Sequence, residues 1–206
     1  MEYTAKKDFG TGIKGMNSFY SEEELKCLGF KRVGENVLVS KKASIYSAEK
    51  MEIGSDVRID DFCILSGKII LGCNVHIAAY TGLFGGDKGI YIEDYAGISS
   101  GSRIYAASDD YSGEVMTNPT VDDKYKRVIQ EKVLVRKNAI IGSGCVILPG
   151  ITVGEGAAVG SMSLINKNIE PWSMNKGIPC KKYKDRSKKL LELQVKYETE
   201  RRLNNE

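Results

Sequence analysis

The stretch Ala139–Gly160, AIIGSGCVILPGITVGEGAAVG, returns an aliphatic residue every six positions, at Ile141, Ile147, Val153 and Val159. An amphipathic helix repeats near 3.6 and a half-buried strand at 2.0, so neither accounts for it. Forward and backward the same period runs through Val135 and Ile165. It also runs through Val33, Val39, Ile45, then Ile53, Ile59, Leu65, Leu71, Ile77, Leu83, then Ile92, Ile98, Ile104. Four residues after the aliphatic the slot is mostly small or β-branched, as at Val57, Cys63, Val75, Thr81, Ala96, Ser102, Ala139, Cys145, Ala157 and Ser163.

Two inward slots per six residues suit a short strand that turns at its end. Glycine often follows the aliphatic, as at Gly34, Gly54, Gly72, Gly142, Gly154 and Gly160, and is expected to ease the turn dihedrals. Three such strands close a triangular coil of 18 residues, the separation of Ile53 from Leu71 and of Val135 from Val153. Coils then stack about 4.8 Å apart through inter-strand hydrogen bonds. Leu71 to Ile92 is 21 residues, so LFGGDKG is expected to bulge out. After Ile104 the next repeat residue is Val135, about 25 residues late. A loop that long in a tight solenoid points to function, against the plainer reading of a tolerated insertion.

Both ends read as helices. SEEELKCLG sets Ser21 and Glu24 in capping-box spacing with Gly29 as a stop. DRSKKLLELQVKYETERRL is a polar helix with a thin apolar stripe. Such ends are expected to cap the open faces of a solenoid.

Composition bounds the function. The 206 residues fit one domain with short additions, and 42% apolar with 28% charged residues allows a buried core on a water-soluble chain. A net charge of +3 is too small to argue for nucleic acid or an anionic membrane. No apolar run reaches the roughly 20 residues needed to cross a bilayer. MEYTAKKDFG has no hydrophobic segment after its basic residues, so no secretory signal is expected. Five scattered cysteines without a pairing pattern fit a reducing compartment, and the cytoplasm is the expected location.

The repeat, with the closing GIPCKKYKDR, resembles the hexapeptide-repeat acyltransferases over residues 31–186. That resemblance implies an all-β solenoid, a left-handed parallel β-helix with a long loop at about 105–134, usually assembled as a homotrimer. Handedness comes from the family alone and runs against the right-handed crossover rule. The expected organisation is a helical cap over 1–30, the β-helix over 31–180 and a C-terminal helix over 181–206. RIDDFCILSG, HIAAYTGLFGG, IYAASDDYSG and MTNP resemble the group of dTDP-4-amino-4,6-dideoxy-D-glucose acyltransferases, which N-acetylate a nucleotide sugar for surface polysaccharide.

Family members of the galactoside type carry a histidine in the long loop; here that place reads Ser108-Asp109-Asp110. The one histidine, His76, occupies the sixth slot of its repeat beside inward Val75, so its ring is expected outward between Arg58 and Gly97 of the neighbouring coils. It is either an ordinary surface histidine or the general base, since acyl transfer benefits from a group titrating near neutrality. Asp109 and Asp110 either orient His76, across a subunit boundary, or grip the substrate ammonium, or simply favour a turn. Tyr80 and Arg103 are candidate substrate contacts.

Matched position by position to the family, Ser143, Gly160, Ser161 and Lys167 fall where pantetheine contacts lie. Lys181 and Lys184 fall where basic residues meet coenzyme A phosphates, the alternative being a solvated charge run. Cys63 and Cys145 fill inward slots and are expected to be inert.

Acetyl-CoA-dependent N-acetylation of a nucleotide-linked amino sugar is the leading expectation: the neutral amine attacks the thioester and needs little base strength once held in place. A sugar O-acetyltransferase is the alternative, and there His76 would be indispensable. A zinc carbonic anhydrase, hosted by the same fold, needs three histidines per metal and is excluded, so no metal is expected. A non-catalytic trimeric scaffold is disfavoured by the coenzyme-type ending.

Overall fold

The computed structural model describes residues 18–203 and is a parallel β-solenoid of the left-handed β-helix type. Its first wall stacks Arg32–Val33, Met51–Ile53, Ile69–Leu71, Ile90–Ile92, Val133–Val135 and Thr152–Val153. The second stacks Leu38–Val39, Arg58–Ile59, His76–Ile77, Gly97–Ile98, Ile140–Ile141, Ala158–Val159 and Ser173–Lys176, and Lys181–Asp185 pairs antiparallel with the last of these. The third stacks Ser44–Tyr46, Ile64–Ser66, Gly82–Phe84, Arg103–Tyr105, Val146–Ile147 and Leu164–Ile165.

The two-slot repeat fills the interior as expected. From Ile53 to Ile165 the aliphatic slots are buried, while in the first coil Val39 is buried and Val33 and Ile45 are half-buried. All ten small slots are buried too, and polar ones are satisfied by backbone: Ser102 Oγ donates to the Gly142 carbonyl at 2.9 Å and Ser163 Oγ to that of Gly160 at 2.6 Å. An aliphatic side chain fully removed from water contributes about 1.5–3 kcal/mol, so this column drives the fold.

The glycines after the aliphatics act differently from the expectation. None has a positive φ; a Cβ on Gly54 would lie 2.4 Å from the Gly72 carbonyl oxygen, and one on Gly142 would lie 2.5 Å from Ser161 N. Close approach of stacked backbones requires them. The left-handed turn residue sits two positions later, at Asp56, Phe62, Asn74, Tyr80, Tyr95, Asn138 and Met162.

The slip after Leu83 is a five-residue connection, Gly85–Gly89, where the coil above uses only Gly67 and Lys68; Asp87 N donates to Gln130 Oε1 at 2.9 Å and ties it to the long loop. That loop leaves after Tyr105 and returns at Val133, with an antiparallel pair, Ala107–Ser108 with Ile129–Gln130, at its base. It therefore springs from the edge between the third and first walls, opposite the second wall.

Glu22–Cys27 is a helix with both capping-box hydrogen bonds, and it buries Leu25 against the first coil. The residues before Ser18 in the expected N-terminal cap lie outside the described residues. At the other end the expectation needs two corrections. Residues Lys181–Asp185 form a strand, because the turn at Gly177 folds the chain back on Ser173–Lys176; the helix is Leu190–Leu203. That helix does not cover the open end but runs back up the edge between the first and second walls. Lys188 lies over the Trp172 ring at 5.7 Å, Gln194 accepts from Asn138 at 2.9 Å, Glu198 from Tyr95 at 2.8 Å, and Arg201 pairs with Asp56 at 2.7 Å. Its bonds are polar, in keeping with its thin apolar stripe. Among the described residues no helix is long and apolar enough to cross a membrane.

Candidate active site

His76 opens its strand on the outer surface of the second wall, with Arg58 and Gly97 as strand neighbours, where the repeat places it. Its Nε2 lies 2.8 Å from Asp60 Oδ2, and the other oxygen of Asp60 accepts from Arg58 Nε at 2.6 Å. Arg58 in turn lies over the Phe19 ring at 5.2 Å. Asp60 is outward because it lies two positions after outward Arg58 in an extended chain. An ion-paired carboxylate only accepts hydrogen bonds, so Nε2 is the donor in this pair, and in the neutral ring the lone pair lies on Nδ1. A Cβ on Gly97 would meet nothing within 4 Å, so the surface beside the ring is open.

A groove of about 510 Å³ runs from His76 beneath the C-terminal helix, past Gly97, Ala139 and Tyr197, to Arg186. Arg186 Nη1 donates to the carbonyls of Asn138 and Gly156 at 2.9 and 3.0 Å, and burial pulls its guanidinium below its usual range.

The loop aspartates stand apart from His76 in one chain, since their loop leaves the opposite edge of the triangle. Asp60, which sequence reasoning missed, makes the contact considered for them. A signal was there: Asp60 directly follows Arg58–Ile59, the strand that lies above His76–Ile77 on the repeat grid. Asp110 is 7% exposed, accepts from Ser112 N at 2.7 Å and is gripped by Arg127, which also reaches Glu114 at 3.0 Å. These hydrogen bonds, those to Ser112 first, hold its carboxyl down at about 2. Asp109 is half-buried beside it.

Tyr80 and Arg103 lie on successive coils of one edge. Tyr80 caps the corner between the second and third walls, and Arg103 Nη1 donates at 3.1 Å to the carbonyl of Gly101, the residue below Tyr80.

Of the coenzyme candidates, Ser143, Gly160 and Ser161 share that same edge two and three coils further down. Lys181 pairs with Lys176, whose Cβ lies 3.1 Å from where a Cβ on Gly160 would stand, and Lys184 pairs with Met174. Lys182 between them is neutralised by Glu170 and Asp185 at 3.1 and 2.9 Å. Lys167 falls elsewhere, on the turn between the third and first walls. Cys63 and Cys145 are buried as expected, and burial pushes the Cys63 thiol up to about 11. Among the described residues no His, Cys, Asp and Glu side chains are grouped to hold a metal ion.

No protein-family model matches the chain. An Escherichia coli dTDP-4-amino-4,6-dideoxy-D-glucose acyltransferase is 44% identical over 180 residues, covering 86% of this chain and 93% of that one. A crystal structure of AntD, an N-acyltransferase from Bacillus cereus, in complex with dTDP and 3-hydroxybutyryl-CoA superposes with a TM-score of 0.89 at 49% identity, over 91% of this chain and all (100%) of that one. An alanine variant of AntD in complex with dTDP-4-amino-4,6-dideoxyglucose and coenzyme A gives 0.88 at 49% identity, over 90% and 100%. With the hexad, the long loop and the coenzyme-type hairpin in place, the chain belongs to the dTDP-4-amino-4,6-dideoxy-D-glucose acyltransferase family of hexapeptide-repeat enzymes.

Proposed function

We propose that this chain transfers an acyl group from acyl-CoA to the 4-amine of dTDP-4-amino-4,6-dideoxyglucose. The observation that carries the chemistry is His76, outward, fixed by Asp60 and open on the Gly97 side. The neutral amine attacks the thioester carbonyl, and the tetrahedral adduct's oxyanion is met by backbone N–H donors. His76 Nδ1 takes the ammonium proton, the C–S bond breaks, and the coenzyme leaves as thiolate and is protonated. A bound amine is nucleophilic enough that positioning supplies much of the rate.

The site is completed between subunits. The third wall and its edge expose Phe62, Ile64, Tyr80 and Met162, an apolar surface suited to a homotrimer. Packing the third wall of one copy against the second wall of the next sets the loop aspartates, Asp109 and Asp110, facing His76, where they receive the substrate ammonium. Lys181 and Lys184 meet the coenzyme phosphates, and Ser143, Gly160 and Ser161 border its pantetheine arm; Lys167 serves a neighbouring copy's site. The reaction belongs to the cytoplasm, where it supplies an N-acylated nucleotide sugar for surface polysaccharide.

Free-thiol release tests this, with acetyl-CoA and 3-hydroxybutyryl-CoA as donors and dTDP-4-amino-4,6-dideoxyglucose or hydroxyl-bearing sugars as acceptors. Turnover is expected on the amine with one or both donors. Turnover confined to hydroxyl acceptors overturns the reading.

A further inference from the structure

The net charge of +3 hides an asymmetry along the chain. Residues 167–189 carry eight lysines and arginines against two carboxylates, a local excess of six, so the rest of the chain is net −3. Those residues close the C-terminal end of the solenoid. Leu164–Ile165 is the last strand of the third wall, Ile169 bridges to Val153 on the first, and Ser173–Lys176 with Lys181–Asp185 ends the second. Lysines stand at all three corners of this triangular base. Lys167 is on the turn from the third wall to the first. Lys188 lies over the ring of Trp172, on the turn from the first wall to the second. Lys176 and Lys181 pair at the remaining corner, where the Cys180 amide donates to the Leu164 carbonyl at 2.8 Å.

All seven lysines are exposed, and among the described residues only Lys182 of them pairs with carboxylates. Crowding like charges in this way costs the isolated chain free energy that a counter-charge would relieve. Between the corners the hairpin exposes apolar surface, Ile178 at its tip being 73% and Tyr183 53% accessible. Two plainer accounts leave part of this over. Coenzyme A takes Lys181, Lys184 and Lys167 in the functional reading above, and Lys176, Lys188 and Lys189 remain. Lysine on an exposed edge strand discourages further strand pairing, yet Lys167, Lys188 and Lys189 lie off the strand.

The arrangement also selects among polyanions. Single-stranded nucleic acid stacks its bases on open aromatic faces, and here ammonium groups cover them, Lys176 over Tyr183 at 4.7 Å and Lys188 over Trp172 at 5.7 Å. An acidic peptide is met by a line of cations along a strand or groove, whereas these stand round a perimeter. Cations ringing an apolar tip suit a plane of negative charge, with lysine stems along the apolar layer and ammonium groups among phosphates. We propose that the C-terminal base of the solenoid is a docking face for an anionic phospholipid bilayer, with Ile178 at the interface. Copies packed wall to wall with parallel coils turn their bases the same way, so an assembly docks through several at once. The proposal is independent of which acceptor the enzyme acylates.

Flotation of the full chain with vesicles tests this, using phosphatidylcholine alone or mixed with phosphatidylglycerol. Binding is expected to the mixed vesicles only. It should be released as ionic strength rises from about 0.1 to about 1 M, which shortens the screening length from about 10 to about 3 Å. Lys188→Gln with Lys189→Gln should weaken it about 25-fold, roughly fivefold for each lysine. Ile178→Gln should weaken it with no change in charge. Lys26→Gln with Lys88→Gln removes the same charge from exposed positions elsewhere and should leave it unchanged. Thiol release and sedimentation without vesicles should match wild type in all three variants, which separates docking from catalysis and folding. Failure to bind the mixed vesicles, equal binding to neutral ones, or equal weakening by the Lys26 and Lys88 pair overturns the proposal. Release by saturating coenzyme A returns the lysines to the coenzyme, and tighter binding to single-stranded RNA or polyglutamate gives the face to a soluble polyanion; either result also overturns it. The wild-type comparison of the two vesicle types stands whatever a variant does to folding.

Discussion

Replacing His76 by alanine removes a ring whose Nε2 is 2.8 Å from Asp60 and leaves Asp60 paired to Arg58 at 2.6 Å. The ring is outward and half exposed, with an open surface at Gly97, so its loss makes no core cavity. Stability should change by no more than about 0.5 kcal/mol, the usual size for such positions. The effect is therefore kinetic. Loss of a general base costs about 10²–10⁴-fold, or about 3–5 kcal/mol of barrier. With an amine acceptor the lower half of that range is expected, since positioning survives the substitution. Raising the assay from about pH 6 to about pH 9 should recover part of the rate, because more of the free substrate amine is neutral. A hydroxyl acceptor gives no such recovery. Asp60→Asn keeps the size of the side chain but presents an amide that donates as well as accepts, so the ring is no longer confined to one tautomer. Its expected loss is smaller, about tenfold, with substrate KM unchanged. The assay is thiol release at saturating substrates across that pH range. Wild-type turnover in His76→Ala refutes the base assignment and passes the proton to Asp109, Asp110 or the substrate itself.

The double variant Lys181→Ala with Lys184→Ala should raise KM for acyl-CoA without changing kcat, each lysine contributing about 0.5–1 kcal/mol as an exposed charge contact; unchanged affinity makes them solvated charges. Ile98→Ala, at a fully enclosed slot in the middle of the stack, should cost about 2–5 kcal/mol, and thermal unfolding showing less than about 1 kcal/mol would contradict the core described. The Cys63 thiol is held neutral by burial, with its folded value near 11 against an ordinary 9.0. Its contribution is thus complete below about pH 9 and fades as pH rises from 9 toward 11; at about pH 8 a thiol reagent should label exposed Cys27 and spare Cys63, and equal labelling rejects this. Sedimentation at micromolar concentration should show a trimer, and a stable monomer removes the shared site.

The repeat was legible because burial imposes it. Each coil has the same two inward slots, so Ile77 and Val75 between them dictate that His76 faces out. The capping box at Ser21 was legible for the same reason of local chemistry. What failed to show was whatever depends on contacts across coils. The glycine after each aliphatic reads as a turn residue until the backbone of the next coil is seen pressing on it. Asp60 and His76 are sixteen positions apart, and only the strand register makes them neighbours. The C-terminal helix has so thin an apolar stripe that nothing in its sequence names the wall it lies on. Its partners, Asp56, Tyr95 and Asn138, are recognisable only as corners of one edge.

Solenoids whose repeats touch only their neighbours can open like a zipper from either end. The helix that climbs the edge of this one forbids that. Arg201 joins Asp56 across 145 positions of chain, and Glu198 and Gln194 fasten two coils between. The last coils therefore cannot fray while the helix that follows them is anchored near the first. The second coil, in turn, cannot peel off without letting that helix go. Each end stands guard over the other, and melting is expected as one sharp transition. Cutting the chain between Asp185 and Leu190 would turn that single step into a gradual unravelling from the C-terminal side.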